Sequence, residues 1–461
     1  MGGDTQVHVA RALIDELYQD LPAQELAPAD DSDWPGLLSL WKRYGSRIRG
    51  VVIWDPELEQ ATIEAATTIA AQCQALPVSP MLARHLEAPV LLDLRQHCFN
   101  DNISCLHWLL EHYFDASNKD VAFTWSHMTT GRRSWGAANK DYVTALKLFT
   151  FYLDIFDADQ RQHYQDVLGR YPPGTPIMGW TDEIIADGLF ADMGHFMVPC
   201  ISVENLTVHA SLPSCETPEP LPSPGVALQG NAIYAACHVA DGDNLLHSMV
   251  YQVEAVLRDP AFGKVPATWI LNPGLVDLAP RLHQWYRDRL GRAGQEYAAM
   301  MGDGHPSAEQ SRGFKAYCRM TREYLDRAGI LSLKVMAQSE AVAWNVQPKV
   351  LLAGYHGRDR RAADPLGYHM DGATFHIDAV PGDGALDILP DLIERALPGE
   401  PLLLNLFCGT AKTPGICGHL VEVQRQLERL AHRAERPLIM TTSSRLREVY
   451  QWWGLASKGE A

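Results

Sequence analysis

The chain has 461 residues, enough for about two or three domains. A hydrophobic content of 46% and a charged content of 21% are ordinary for a globular protein, and no apolar stretch approaches the roughly 18 residues of a membrane span. The formal net charge of −17 argues against a nucleic-acid or membrane partner and favours a small-molecule or saccharide substrate.

The nine cysteines are scattered and include no Cys-x-x-Cys pair, which indicates free thiols in a reducing compartment. Residues 1–21 show no basic segment followed by an apolar core, so no signal peptide is visible. We therefore expect a cytoplasmic protein, although a chain whose export signal had been removed would look the same. None of these features predicts the oligomeric state.

The N-terminal half alternates short strands with helices. Strands are predicted at 50–54, 75–78 and 90–95, with an Ala-rich helix between the first two, so residues 1–95 are expected to form a small α/β lobe. Residues 96–225 are expected to be a second α/β segment, in which Trp180, Asp182 and Glu183 follow a strand. Five prolines within 211–225 predict a linker.

Residues 226–461 show a more regular alternation of strands and helices. Strands are predicted at 232–239, 267–272, 297–302, 330–336, 350–355, 373–377, 402–407 and 438–441. About eight β/α units of this length are typical of a (β/α)8-like, TIM-type barrel. A seven-stranded ring fits nearly as well, and an open doubly wound sheet is the structural alternative.

The most informative stretch is Asp241-Gly242-Asp243-Asn244, which lies between the first barrel strand and a helix. Ligands bind at the carboxyl ends of strands in such barrels, so both carboxylates are candidates for the site. The simpler interpretation is an Asp-rich turn in which Asp243 or Asn244 caps the helix.

Other polar side chains also follow predicted strands, where they would line the same rim. Hydrolysis of a glycosidic bond needs two carboxyl groups, for which we select Asp241, Asp243, Glu183 and Asp378. The candidates for substrate binding near them are Asn244, Trp180, Asp182, Asn272, Asp303, His305, Glu340, His356 and Arg358. No cofactor is expected to be required. If a divalent metal binds, its candidate ligands are Asp241, Asp243 and His305, although no His-x-x-x-His pair marks them.

Taken together, these motifs resemble the GxGYxYP family of putative glycoside hydrolases. The resemblance rests on Gly50 to Pro56, Leu92 to Arg95, Gly179 to Glu183, Asn205 to Val208, and Asp241 to Leu245. It adds Asn205 to the candidates for substrate binding. The name-giving motif should fall at Met301-Gly302-Asp303-Gly304-His305-Pro306, where Gly-x-Gly is kept and the tyrosines are not. The resemblance thus implies the family scaffold, with a different substrate or reaction.

Three functions remain open from the sequence. The first is a carbohydrate-active hydrolase that uses paired carboxylates at the strand ends. The second is a cytoplasmic barrel enzyme, either a lyase or a metal-dependent hydrolase, that acts on a small polar metabolite. The third is a non-catalytic sugar-binding protein, which the density of acids at the strand ends disfavours.

Overall fold

The structure is a computed structural model that describes residues 34–125, 139–181, 189–190, 193–200, 203, 205–213, 225, 228–302, 312–336, 340–353, 367–381, 385–411 and 413–456. Two compact units lie within Ile14–Thr207 and Val208–Ala461. Among the described residues, no helix combines the length and the apolar character needed to cross a bilayer.

The helices and strands of the described residues are as follows. The helices are α1 (Trp34–Tyr44), α2 (Glu59–Cys73), α3 (Pro80–Leu86), α4 (Asn102–Tyr113), α5 (Lys140–Leu146), α6 (Ala158–Leu168), α7 (Leu206–Ser211), α8 (Gln252–Arg258), α9 (Leu275–Leu278), α10 (Pro280–Arg292), α11 (Arg312–Ala328), α12 (Glu340–Val346), α13 (Ala385–Arg395), α14 (Ile416–Arg433) and α15 (Ser443–Ala456). The strands are β1 (Val51–Ile53), β2 (Leu76–Val78), β3 (Val90–Asp93), β4 (Asn118–Trp125), β5 (Leu148–Tyr152), β6 (Pro176–Trp180), β7 (Phe196–Pro199), β8 (Ile233–Ala240), β9 (Ala267–Leu271), β10 (Glu296–Ala299), β11 (Ser332–Lys334), β12 (Val350–Ala353), β13 (Tyr368–Asp371), β14 (Thr374–Pro381), β15 (Leu402–Thr410) and β16 (Leu438–Thr441).

The N-terminal unit contains two parallel sheets, ordered β2-β1-β3 and β5-β4-β6-β7. Helix α2 contacts strands of both sheets and is buried over most of its length. Its many alanines allow this burial, because their small side chains let the helix approach the sheets closely. Thr68 on this helix fastens it to β5: its Oγ1 donates to Thr150 O at 3.1 Å and accepts from Thr150 N at 2.9 Å.

The C-terminal unit is a closed barrel. Seven parallel strands form the ring in the order β8-β9-β10-β11-β12-β14-β15, and β15 pairs back with β8. Strand β13 lies outside the ring, antiparallel to β14. Closure confirms the predicted barrel in its seven-stranded form and excludes the open doubly wound sheet.

The eighth predicted strand, β16, is present but occupies only part of the ring. One edge of β8 pairs with β16 over Ile233 to Ala236 and with β9 over Cys237 to Val239. The base of the barrel therefore has an extra strand that its mouth lacks. Helix α15 follows β16 directly, and its N-terminal Ser443 N–H donates to Thr268 Oγ1 at 3.0 Å, inside the base of the barrel.

The three-stranded sheet, the four-stranded sheet and the barrel fall within the predicted segments 1–95, 96–225 and 226–461, respectively. The assignment of these segments as separate domains stays a prediction.

Candidate functional site

The mouth of the barrel is built around the turn that follows β8. Asp241 has a φ of 63°, in the left-handed region that an aspartate tolerates better than most residues. The next residue, Gly242, passes so close to β9 that a Cβ atom there would lie 1.6 Å from the carbonyl oxygen of Ile270. Glycine is therefore required between the two aspartates for a packing reason.

Buried side chains hold this turn against the end of β9. Ser248 Oγ donates to Gly242 O at 2.6 Å and accepts from Asn272 N at 3.2 Å. Gln252 Nε2 donates to Ile270 O at 2.8 Å. Because both side chains are fully buried, these bonds form in a low-dielectric interior and fix the turn in place.

Two predicted substrate-binding amides also belong to this scaffold. Asn244 Oδ1 accepts from Leu246 N at 3.0 Å, which is the capping arrangement foreseen as the simpler interpretation. Asn272 Nδ2 donates to Asp243 O at 2.5 Å, and its Oδ1 accepts from Gly274 N at 2.8 Å. The structure thus brings Asp241, Asp243, Asn244 and Asn272 together, with both amides bound to the backbone.

The two carboxylates of the turn have different surroundings. The Asp241 side chain keeps 34% of its surface exposed, and its Oδ2 lies 3.9 Å from His247 Nδ1. Asp243 is only 7% exposed. His247 begins a π-helical turn, His247–Tyr251, that runs into α8, and single π-turns of this kind are frequent at functional sites.

A second polar group lies below the turn, inside the barrel. The ring atom His238 Nδ1 lies 3.1 Å from Asn405 Oδ1 across the β8–β15 pair, and both residues are buried. Burial lowers the pKa of His238 well below its usual range, and the positive charge of Lys334 lowers it further. Burial also lowers the pKa of Lys334 to about 7, against the opposing effect of Asp378.

Strand register places Lys334 and His238 on the interior face. Lys334 pairs with Leu352 on β12, and His238 pairs with Thr268 on β9. Paired residues of neighbouring strands point to the same side of a sheet, and Leu352 belongs to the interior apolar cluster. Lys334 was not among the predicted residues, although a lysine within an otherwise apolar strand is a signal that could have selected it.

The other predicted residues stand on other elements of the fold or fall outside the described residues. In the barrel unit, Asp378 is half-buried on β14 and Glu340 begins α12. Trp180 and Asn205 belong to the N-terminal unit. Trp180 ends β6, and Asn205 is exposed just before α7. Those outside the described residues are Asp182, Glu183, Asp303, His305, His356 and Arg358. Within the described ranges, no three His, Cys, Asp or Glu side chains are arranged to hold a metal ion. The metal set that includes His305 stays a prediction.

Comparison with known proteins identifies the scaffold. Three sequence models of one family match the chain: the GxGYxYP_N second domain at residues 48–117, the GxGYxYP third domain at 125–211, and the GxGYxYP putative glycoside hydrolase C-terminal domain at 231–363. Together these matches cover more than half of the chain. No curated protein sequence matches it.

One solved structure shares the fold of this chain, and a second does not. A crystal structure described as a putative hydrolase from Bacteroides thetaiotaomicron VPI-5482 aligns with a TM-score of 0.72 at 17% identity, covering 96% of this chain and 86% of that one. A putative polysaccharide deacetylase from Mycobacterium smegmatis aligns with a TM-score of 0.33 at 13% identity, covering 51% of this chain and 96% of that one. The second similarity is too low to indicate a shared fold.

Proposed function

This chain belongs to the GxGYxYP family, and from that premise we propose that it is a carbohydrate-active hydrolase that cleaves a glycosidic bond at the mouth of its barrel. Asp241 and Asp243 are its catalytic carboxyl groups. The observation that carries the proposal is the turn itself, where buried hydrogen bonds fix the backbone of Gly242 and Asp243, and where two carboxylates at the carboxyl end of β8 have different surroundings.

Asp241 is the carboxylate that meets water or substrate. Its side chain is one-third exposed, and the imidazole of His247 lies 3.9 Å away. A left-handed φ at a non-glycine residue costs of order 1 kcal/mol and persists where the surrounding structure enforces it. Ser248 supplies part of that enforcement here, because its Oγ donates to the backbone carbonyl of Gly242, the residue that follows Asp241.

Asp243 is the partner carboxyl. Glycoside hydrolases need one group that protonates the leaving oxygen and another that acts as base or nucleophile, and such roles are set by environment. The Asp243 backbone is fixed by the bond from Asn272 Nδ2, and its side chain is nearly buried, unlike that of Asp241.

A saccharide at this mouth would meet further polar groups. We propose that Asp378, on β14, which is separated from β8 in the ring only by β15, assists the two aspartates, and that the sequence-selected residues of the barrel unit bind the sugar hydroxyls. Half-buried Phe407, on an interior position of β15, offers an apolar surface of the kind on which sugar rings stack.

The test is hydrolysis of a panel of aryl glycosides and glycans, followed by release of the aryl group or of reducing sugar. Asp241→Asn is expected to lower turnover at least about 100-fold, because removal of a catalytic carboxylate typically costs that much or more. Asp288→Asn, at an exposed aspartate on α10, makes the same charge change away from the mouth and is expected to behave as wild type. The proposal fails if the wild type releases nothing from the panel, or if folded Asp241→Asn keeps full turnover.

A further inference from the structure

Two imidazoles face each other on the surface of the N-terminal unit. His107 stands on α4 and His163 on α6, and His107 Nε2 lies 3.2 Å from His163 Nδ1. The ring centroids are 4.8 Å apart, and the ring planes are inclined at 75°. His107 is exposed, and the His163 side chain keeps 29% of its surface exposed. Solvent therefore reaches both rings, and so can a dissolved ion.

The packing of the two helices sets the spacing of this pair. The residue adjacent to each histidine, Leu106 on α4 and Tyr164 on α6, is buried in the core that the two helices share. Asn102 Nδ2 on α4 also donates to Gln160 Oε1 on α6 at 3.0 Å. The two rings are thus held by regular, packed elements, on which a site is positioned more precisely than on loops.

The distance between the two nitrogens suits a shared metal ion. Zinc binds imidazole nitrogen at about 2.0–2.1 Å, so two nitrogens 3.2 Å apart subtend an angle of about 100° at the ion, close to tetrahedral. Without a metal, one ring donates its N–H to the other, which is the ordinary use of such a pair. Metal binding requires instead that both nitrogens present a lone pair, and a neutral imidazole can do so at either ring nitrogen.

A carboxylate adjoins the pair. Asp166 follows His163 by one turn of α6, and its Oδ2 lies 3.8 Å from His163 Nδ1. The side chain of Asp166 is 57% exposed, and its other oxygen accepts from Gln162 Nε2 at 3.3 Å. A negative charge at this distance favours a cation between the rings.

We propose that His107 and His163 form a surface site for a divalent transition metal, with Zn²⁺ as its occupant. The two ring nitrogens bind the ion directly, and water fills its other positions. Asp166 accepts a hydrogen bond from one of these waters, since no three donors among the described residues are arranged to hold an ion themselves. Imidazole suits zinc, copper and nickel, whereas Mg²⁺ and Ca²⁺ take oxygen ligands. The bound ion ties α4 to α6.

This inference is independent of the proposed hydrolysis. It uses residues of the N-terminal unit only, whereas the proposed catalytic carboxyl groups belong to the barrel unit. Loss of hydrolysis in Asp241→Asn leaves the metal site standing. Failure of zinc binding at His107 and His163 would equally leave the hydrolase proposal untouched.

The first experiment is calorimetric titration of the full chain with Zn²⁺ near neutral pH. His107→Gln and His163→Gln are each expected to weaken binding at this site at least about 10-fold, because even mutations that only surround a metal ligand typically cost 10–100-fold. His112→Gln is the matched control, since His112 is an exposed histidine on the same helix whose Nδ1 lies 2.8 Å from Trp108 O. It is expected to bind zinc as the wild type does. Mg²⁺ is expected to give no binding at the pair.

The second experiment locates the ion without any substitution. Diethyl pyrocarbonate modifies accessible imidazole nitrogens, and mass mapping gives the rate at each histidine. Zn²⁺ is expected to slow modification of His107 and His163 and to leave that of His112 unchanged. The inference is overturned if Zn²⁺ leaves the rates at His107 and His163 unchanged, or if both folded variants bind Zn²⁺ as tightly as the wild type. Either result would show that the pair is only a hydrogen bond between two imidazoles.

Discussion

Gly242 and Ile270 meet backbone to backbone: a Cβ atom on residue 242 would lie 1.6 Å from the carbonyl oxygen of Ile270 and 2.5 Å from its carbonyl carbon. That oxygen also accepts a hydrogen bond from Gln252 Nε2 at 2.8 Å. The end of β9 therefore cannot retreat without leaving a buried group unsatisfied, and the position of the two aspartates depends on this contact.

Gly242→Ala tests that dependence. The new methyl group must push β8 and β9 apart, so we expect a loss of about 3 kcal/mol in the free energy of unfolding, within the range for severe overpacking. Urea unfolding of the barrel measures it. Gly418→Ala is the matched control, since Gly418 lies within α14 with nothing within 4 Å of a new Cβ atom, and a gain of roughly 0.5–1 kcal/mol is expected there. Equal unfolding midpoints for Gly242→Ala and wild type would contradict the close approach.

The buried Lys334 predicts a stability change above neutral pH. Its pKa is about 7 in the folded state and roughly 10.4 when unfolded. Between these values the unfolded state binds the extra proton, so the free energy of unfolding rises with pH, by up to about 4 kcal/mol over the whole window. Lys334→Met should remove this rise and be more stable than wild type at pH 7, whereas Lys264→Met, at an exposed lysine before β9, should keep it. If the free energy of unfolding of Lys334→Met rose between pH 7 and pH 10 as much as that of the wild type, the assignment of the rise to the buried Lys334 amine would be contradicted.

His238 predicts a separate effect below neutral pH. Burial and the charge of Lys334 depress its folded pKa, so below about pH 6.5 the unfolded state binds a proton that the folded state excludes. Stability is therefore lost as pH falls through this region, at up to about 1.4 kcal/mol per pH unit. His238→Gln should have a shallower acid slope in urea titrations from pH 6.5 to 4.5. His419→Gln, at an exposed histidine on α14, should keep the wild-type slope. Parallel slopes for all three proteins would refute the assignment.

In the N-terminal unit, one ion pair joins α2 to α5. Lys140 Nζ lies 2.5 Å from Glu64 Oε2, with the side chains 17% and 4% exposed, and Thr150 Oγ1 also donates to Glu64. Glu64→Leu leaves the lysine uncompensated and should cost about 3–5 kcal/mol. The double variant Glu64→Leu/Lys140→Met should recover much of that loss, because both charges are gone. A double variant no more stable than Glu64→Leu would contradict this explanation, because it would show that the lone Lys140 charge is not what destabilises the single variant.

The barrel could be predicted because its strands are buried on both faces and read as continuous apolar runs. All eight predicted barrel strands are present, and the turn at Asp241 was located from its place after the first of them. Strand β13 was not predicted, since Tyr368 to Asp371 is a short polar run that pairs only through an antiparallel contact with β14. Hydrophobic periodicity predicts that a strand exists, but it does not predict the partners of that strand. It therefore could not show that one edge of β8 pairs with both β9 and β16.

The interior polar group shows why the rest of the candidate site was not accessible to sequence reasoning. Candidates were sought after the strands, where loops carry most binding residues, whereas Lys334 lies within a strand. The bond between His238 and Asn405 joins positions 167 residues apart, so no local spacing signals it. The roles of Asn244 and Asn272 as scaffold likewise depend on backbone groups brought close only by the fold.

The split edge of β8 has a consequence for the order in which the barrel can be assembled during synthesis. Strand β8 is the first of the ring to be made, yet one of its neighbours is β15 and part of its other edge is covered by β16, close to the C-terminus. A nascent chain that ends before residue 402 has both of these partners missing, and its apolar β8 is a ready surface for pairing with other chains. Ring closure must therefore wait until nearly the whole barrel sequence has been synthesised.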